Sequence, residues 1–175
     1  MSATPSSPQS LRAGFLVLDA ATGALAQILP FQYNPQQLVH SVGPHGESFT
    51  IVTEYDVSDG SAAAQDVESE LGIAPQLAAL RSIAAEPPAH VIALVWGPTR
   101  VVPVRFESLT VTETLFDRAL HPLAATAVLE LTVQTPDAGG SVIGRIGSAY
   151  EREQQQLATV SPSTSLAALG LEGIP

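Results

Sequence analysis

The sequence predicts an α+β fold: a mostly antiparallel β barrel or sandwich of about six to eight strands with one main flanking helix. Three observations carry this. Short apolar stretches alternate with a period of two and are punctuated by Gly, Pro, Asn and Asp, as half-buried strands require. One helical stripe, Leu77, Leu80, Ile83 and Ala84, follows Pro75, which suits a helix's first turn because a missing donor is harmless there. At 175 residues the chain fits one domain, and a domain near 150 residues buries about 70% of its unfolded surface, enough for a core without a metal or disulfide.

Residues 1–11, rich in Ser, Pro and Thr, bury nothing and read as a mobile arm. The apolar run from Gly14 to Asp19 is closed by Ala20-Ala21-Thr22-Gly23, and Leu25 to Phe31 follows, which makes a hairpin. Pro35 has no backbone donor and pushes Asn34 away from helical angles, so the chain must stop and turn at Phe31-Gln32-Tyr33-Asn34-Pro35. A third strand, Leu38 to Val42, ends at Gly43-Pro44-His45-Gly46. The fourth sets Phe49, Ile51 and Tyr55 on one face against Thr50, Val52 and Glu54, then stops at Asp56-Val57-Ser58-Asp59-Gly60.

The period then changes. A turn over Asp66-Val67-Glu68-Ser69-Glu70-Leu71 is separated by Gly72 and Pro75 from the main helix, expected at about residues 74–85 and ending before Pro87-Pro88. The stretch from His90 to Trp96 is apolar on both faces, so cover is expected on both sides, the helix on one and the barrel interior on the other; it should be the central strand. Its partner starts at Thr99, alternates through Val102, Val104 and Phe106, then changes phase to Leu109 and Val111. A phase change inside one strand implies a bulge near Glu107-Ser108. The last strand alternates Ala127, Leu129, Leu131 and Val133 against Thr126, Val128, Glu130 and Thr132. The domain therefore spans 12–135, and 136–175 reads as a flexible extension: Asp137-Ala138-Gly139-Gly140-Ser141 is a loose junction, Tyr150 to Leu157 supports two helical turns, and Ser161-Pro162-Ser163-Thr164 caps an apolar stub.

The composition excludes several functions. There is no cysteine, which removes disulfides, thiolate metal sites and cysteine nucleophiles together. All seven basic residues are arginine, scattered without an adjacent pair, against seventeen acidic ones. A net charge of −10 repels phosphate backbones, so nucleic acid is not an expected partner. The acidity reads either as surface solubility or as an acidic ring face or lumen that handles a basic partner. The first residues lack the basic patch and apolar run of a signal peptide, and no apolar stretch approaches the ~18 residues of a membrane span, which implies a soluble product made in the cytoplasm without membrane insertion.

The chain offers little for catalysis. His40, His45, His90 and His121 match no zinc signature. Gly46-Glu47-Ser48 lacks the second glycine and the strand-to-helix setting of a nucleophile elbow. The segment starting at Asp56 looks faintly like a calcium loop, but its glycine comes one position early and Val67 stands where a Glu would ligate; an Asx-type turn is the simpler reading. No phosphate-cradling glycine loop exists. No catalytic, cofactor-binding or metal-binding residue is assigned, and the chain reads as a non-enzyme.

Five segments taken in order resemble a known family. Phe31 to Pro35 parallels a (Q/F)xxNP opening, Phe49 to Asp56 an (S/T)FxxxxD strand, and Asp66-Val67 the start of a helical segment. Glu86-Pro87-Pro88 through Trp96-Gly97 parallels a PPxxxFxWG hairpin, and Leu120-His121-Pro122-Leu123-Ala124-Ala125-Thr126-Ala127-Val128-Leu129 a final LxPxRAxxxL strand. Their order and spacing, over roughly residues 12–135, resemble the N-terminal domain of the tube-like inner baseplate proteins, or tube initiators, of extracellular contractile injection systems, which are phage-tail-like particles. The resemblance implies a fold of the phage tail-tube type and a structural subunit forming a six-fold ring where the inner tube meets the baseplate, templating tube polymerisation. Its partners would be further copies of itself and the tube, spike or other baseplate subunits, in a particle assembled in the cytoplasm and able to leave the cell. A cap adaptor or terminator at the other end of the tube is the alternative position. Longer relatives continue into a peptidoglycan-binding LysM module; none fits in the residues after 135, so a cell-wall role is not carried over.

Under this reading the long hairpin from His90 to Phe116 joins neighbours edge to edge, with Thr110, Thr112 and Thr114 at its polar positions. Phe31, Tyr33, Asn34, Pro35 and Trp96 complete the candidate interaction residues. Phe31 and Tyr33, two apart, either pack under the barrel or present a ring-to-ring surface. Trp96 is either a core lid, the favoured reading, or an exposed contact. Two other classes compete: a monomeric module that takes a peptide by strand addition, and a small enzyme.

Overall fold

The computed structural model describes residues 11–44, 46–57, 71–85, 89–135 and 140–160. The arm at 1–10, the Asp66-Val67 turn, Pro87-Pro88, the 136–139 junction and the stub after Ser161 lie outside the described residues.

Seven strands form one sheet: β1 (Gly14–Asp19), β2 (Leu25–Pro30), β3 (Leu38–Gly43), β4 (Gly46–Asp56), β5 (His90–Val95), β6 (Val101–Phe116) and β7 (Pro122–Val133). Their order is β2-β1-β5-β6-β7-β4-β3, and every neighbouring pair is antiparallel. The α+β class and the antiparallel sheet are as expected. The barrel is not closed: β2 and β3 end the sheet without pairing to each other, and the residues of β2 are almost all exposed. Two helices lie among the described residues, α1 (Ala74–Ala84) and α2 (Val142–Thr159).

Each turn has a local cause. Between β1 and β2, Asp19 Oδ1 accepts from the Ala21 and Thr22 amides and from Thr22 Oγ1, and Gly23 takes φ +77°. These bonds hold the Asp19 carboxyl below its usual range. The bulge expected near Glu107-Ser108 is present, with the β6–β7 register shifting between Phe106 and Ser108. It bends the long strand so that one end serves each half of the sheet: Val101 to Val104 pair with β5, while pairing to β7 continues to Phe116. This makes β6 the central strand. β5, expected there, lies third from the β2 edge, although it is buried on both faces from Val91 to Leu94 as expected.

The core sits against one face of the sheet. Phe15 meets Phe31 edge-on at 5.4 Å and Phe106 at 5.3 Å between centroids. Phe49, Ile51, Leu129 and Leu131 continue the layer, and α1 closes it with Leu77, Leu80 and Ile83. Pro75 sits in the first turn of α1. At the helix entrance Gly72 has φ +60° and no room for a Cβ against the Pro122 carbonyl, which accepts from the Ile73 amide at 3.0 Å.

Beyond Thr135 the structure corrects the sequence reading. Residues 142–159 are an 18-residue helix rather than two turns in a flexible extension. Ser141 caps it by accepting from the Gly144 amide at 3.0 Å. Val142, Gly144, Gly147 and Tyr150 form its buried face, and Tyr150 joins the main core. Two glycines on that face lower helix propensity and disguise the stripe.

Candidate assembly surface

Cross-strand registers stack the outer face of the sheet into rows. Thr110, Val128 and Val52 form one row, Thr112, Thr126 and Glu54 the next, and Thr114, Ala124 and Asp56 the third. The buried alternates Ala125, Ala127, Leu129 and Leu131 face the core, so these rows face outward. The three threonines therefore do share a surface, with Val128, Thr126 and Ala124 of β7 and Val52, Glu54 and Asp56 of β4 beside them.

Their backbones do not form the edge that sequence reasoning gave them. Val57 donates to the Leu123 carbonyl and Thr114 Oγ1 to the Ala124 carbonyl, so odd positions of β7 turn their polar backbone toward β4 and even positions toward β6. The β6 partners of the even positions, Thr110, Thr112 and Thr114, consequently bond inside the domain. It is Leu109, Val111 and Glu113 whose N–H and C=O groups point away from β7. β5 covers that side only as far as Val104, and among the described residues no strand covers it beyond. The expected hairpin from His90 to Phe116 is thus two different pairings: a short one with β5 and a long one with β7. The second bare edge is β3, where Leu38, His40 and Val42 point outward because Val39, Ser41 and Gly43 bond to β4.

The turn residues separate. Phe31 is 1% exposed and a core residue, whereas Tyr33 is on the surface and donates from its hydroxyl to Asp56 Oδ2 at 3.1 Å. Strand alternation ends at Pro30, so spacing by two no longer fixes a common face. Asn34 is a bracket: its Oδ1 accepts from the Ala13 amide at 2.8 Å and its Nδ2 donates to the Leu11 carbonyl at 2.7 Å. Gln32 bonds the backbone of Asp56 in both directions, as an additional strand residue would. Together with Pro35, Gln36, Gln37, Val39, Thr50, Val52, Glu54 and Asp56, Tyr33 and Asn34 line a groove of about 610 Å³. Trp96 is half-buried against the core, with its amide donating to the Arg100 carbonyl at 2.8 Å.

Two histidine–carboxylate pairs were not foreseen. His40 Nε2 lies 3.2 Å from Glu47 Oε2, and its ring stacks on Phe49 at 4.5 Å. The same Glu47 oxygen accepts from the Tyr150 hydroxyl at 3.2 Å. Burial, then the Glu47 charge, push the Tyr150 phenol above its ordinary pKa. Glu47 thus joins the β3 edge to α2. His121 Nδ1 lies 3.0 Å from Asp117 Oδ2, and the bonds Asp117 accepts, first from the His121 amide, hold its carboxyl below the usual range. Each pair is isolated, and no group of three or more His, Asp or Glu residues able to hold a metal occurs among the described residues. No helix of the described residues is long and apolar enough to cross a membrane. Compared with protein-family models and with curated proteins, the chain matches none.

Proposed function

We propose that this chain is a structural subunit of a contractile injection system, forming a ring at the end of the inner tube through two bare edges of its sheet, those of β6 and β3. The observation that carries this reading is the pair of edges on one four-strand segment, β6-β7-β4-β3. Three antiparallel steps separate β6 from β3, so they run in opposite directions, and β6 of one copy can add to β3 of the next as an ordinary antiparallel neighbour. The contact is heterologous and must close into a ring or run on as a filament. Closure satisfies the N–H and C=O groups that an isolated copy leaves to water. The six-fold number, the place at the junction of tube and baseplate, and tube, spike and baseplate subunits as partners follow from the family resemblance of the segments between Phe31 and Leu129. The cap or terminator position at the other end of the tube fits the same edges.

Native mass spectrometry of the full chain over a range of concentrations tests this. A closed oligomer is expected, and Glu113→Pro, which removes a donor only from the bare side of β6, should leave a folded monomer. A chain that stays monomeric at every concentration overturns the ring and favours the peptide-adding module, which needs the same bare edges but no second copy.

A further inference from the structure

The turn joining β6 to β7 is built for rigidity and exposes apolar side chains. Asp117 donates its amide to the His121 carbonyl at 3.0 Å, and Leu120 donates to the Asp117 carbonyl at 3.1 Å. Asp117 Oδ1 accepts from the Ala119 and His121 amides, each at 2.8 Å. Leu115 and Leu120 both hold left-handed backbone, at φ 53° and 66°, a conformation that leucine adopts at a cost and that persists only where the surroundings impose it. On this braced turn Leu115 is 70%, Phe116 50% and Leu120 77% exposed. Single exposed apolar residues are ordinary, but three of them on one rigid protrusion make a contact surface. Arg118 is exposed beside them.

The groove around Tyr33 has complementary chemistry. β3 begins at Leu38, opposite Ile51, so β4 runs on past it to Asp56 with only the returning loop for cover. The walls offer Pro35, Val39 and Val52 as apolar surface and Glu54 as charge. Among the described residues neither Arg118 nor Glu54 is in an ion pair. Within one copy the tip belongs to β6 and β7 while the groove lies on the far side of β4, about 10 Å away across the strands. When β6 adds to β3 of a neighbour, however, the end of β6 that carries the tip lies at the end of β4 that carries the groove.

We propose that the β6–β7 tip of one copy seats in the groove of the next, with Phe116 and Leu120 against Pro35, Val39 and Val52, and Arg118 against Glu54. This rests on the ring reading and adds the contact that sets the register between copies, since a bare strand edge alone accepts several registers. The apolar contact supplies affinity and the single charge pair penalises a slipped neighbour.

The absence of cysteine makes the deciding test clean. Leu120→Cys and Val52→Cys are made as separate full-length proteins, mixed and oxidised; a disulfide needs Cα atoms within about 7 Å. A Leu120→Cys/Val52→Cys heterodimer is expected, in excess of either homodimer. In parallel, Arg118→Glu and Glu54→Arg should each raise the concentration for half-assembly about tenfold, and the exchanged pair should restore it. Circular dichroism controls for folding of these surface variants. If the wild-type chain assembles but the mixture yields no heterodimer, the tip contact is overturned and the ring stands. If the wild-type chain never assembles, both are overturned.

Discussion

At the residue scale, burial decides what each side chain can do, and alternation foretold burial wherever a strand was continuous. Phe49, Ile51 and Tyr55 on β4 and Ala127, Leu129 and Leu131 on β7 lie inside as the pattern required. The pattern failed at Phe31 and Tyr33, because a period of two has meaning only while the chain is extended, and Pro30 ends β2 between two bonding schemes. Leu129, fully buried among β4, β6 and α1 neighbours, should cost about 2–5 kcal/mol on truncation in Leu129→Ala, read by urea unfolding. Tyr55 gives a sharper signature. Burial pushes its phenol up to about 12 from an ordinary 10. The folded chain therefore holds this proton more tightly than the unfolded chain does. The stability involved is fully present below pH 10 and is lost as pH rises toward 12, about 2–3 kcal/mol in all. Tyr55→Phe should flatten that part of the alkaline stability profile; an unchanged slope would mean the phenol is hydrated in the folded chain.

At the element scale, strands, turns and the β6 bulge were legible because each has a local cause: a Gly, a Pro, an Asp that bonds its own turn, or a phase shift. Helix α2 was not legible as a docked element. Its anchors, Tyr150 on Glu47 and Val142 near Gly23 of the β1–β2 turn, are distant in sequence. The direction of backbone groups along β6 was equally hidden, since side-chain alternation shows which face is buried and not which edge is bare. The consequence is that proline has opposite effects at neighbouring β6 positions. Thr112→Pro removes a β6–β7 bond opposite Thr126 and should cost the monomer about 1–3 kcal/mol, whereas Glu113→Pro should cost little more than its surface ion pair with Arg81. Thermal melting of the two variants separates them; equal losses would contradict the register. Acid acts on the tip. Because the Asp117 carboxyl is held below its ordinary range, its bonds are intact above that range and are lost as pH falls through the lowered value. Exchange of the Ala119 and His121 amides should therefore quicken at low pH, relative to the core, in wild type and at all pH values in Asp117→Ala.

At the scale of the whole molecule, openness is the property that periodicity could not reveal. Seven amphipathic strands are compatible with a closed barrel or an open sheet, and the choice depends on whether the first and last strands in space meet. Here those strands are β2 and β3, and among the described residues each leaves one side bare, which with that of β6 makes three unpaired strand sides. The proposed ring uses β6 and β3 and leaves β2 idle, which makes the three edges experimentally distinct. On β2, Phe31 donates to the Ala13 carbonyl, so odd positions bond to β1 and Ile28 points outward. Proline at an outward position of an edge strand removes a donor that the monomer does not use. Ile28→Pro should therefore leave both melting temperature and oligomeric mass unchanged, while Val42→Pro, on the outward side of β3, should keep the fold and abolish assembly. Native mass spectrometry of the pair reads this directly. If Ile28→Pro breaks the oligomer and Val42→Pro does not, the copies join through β2, and the groove beside Tyr33 lies away from the interface.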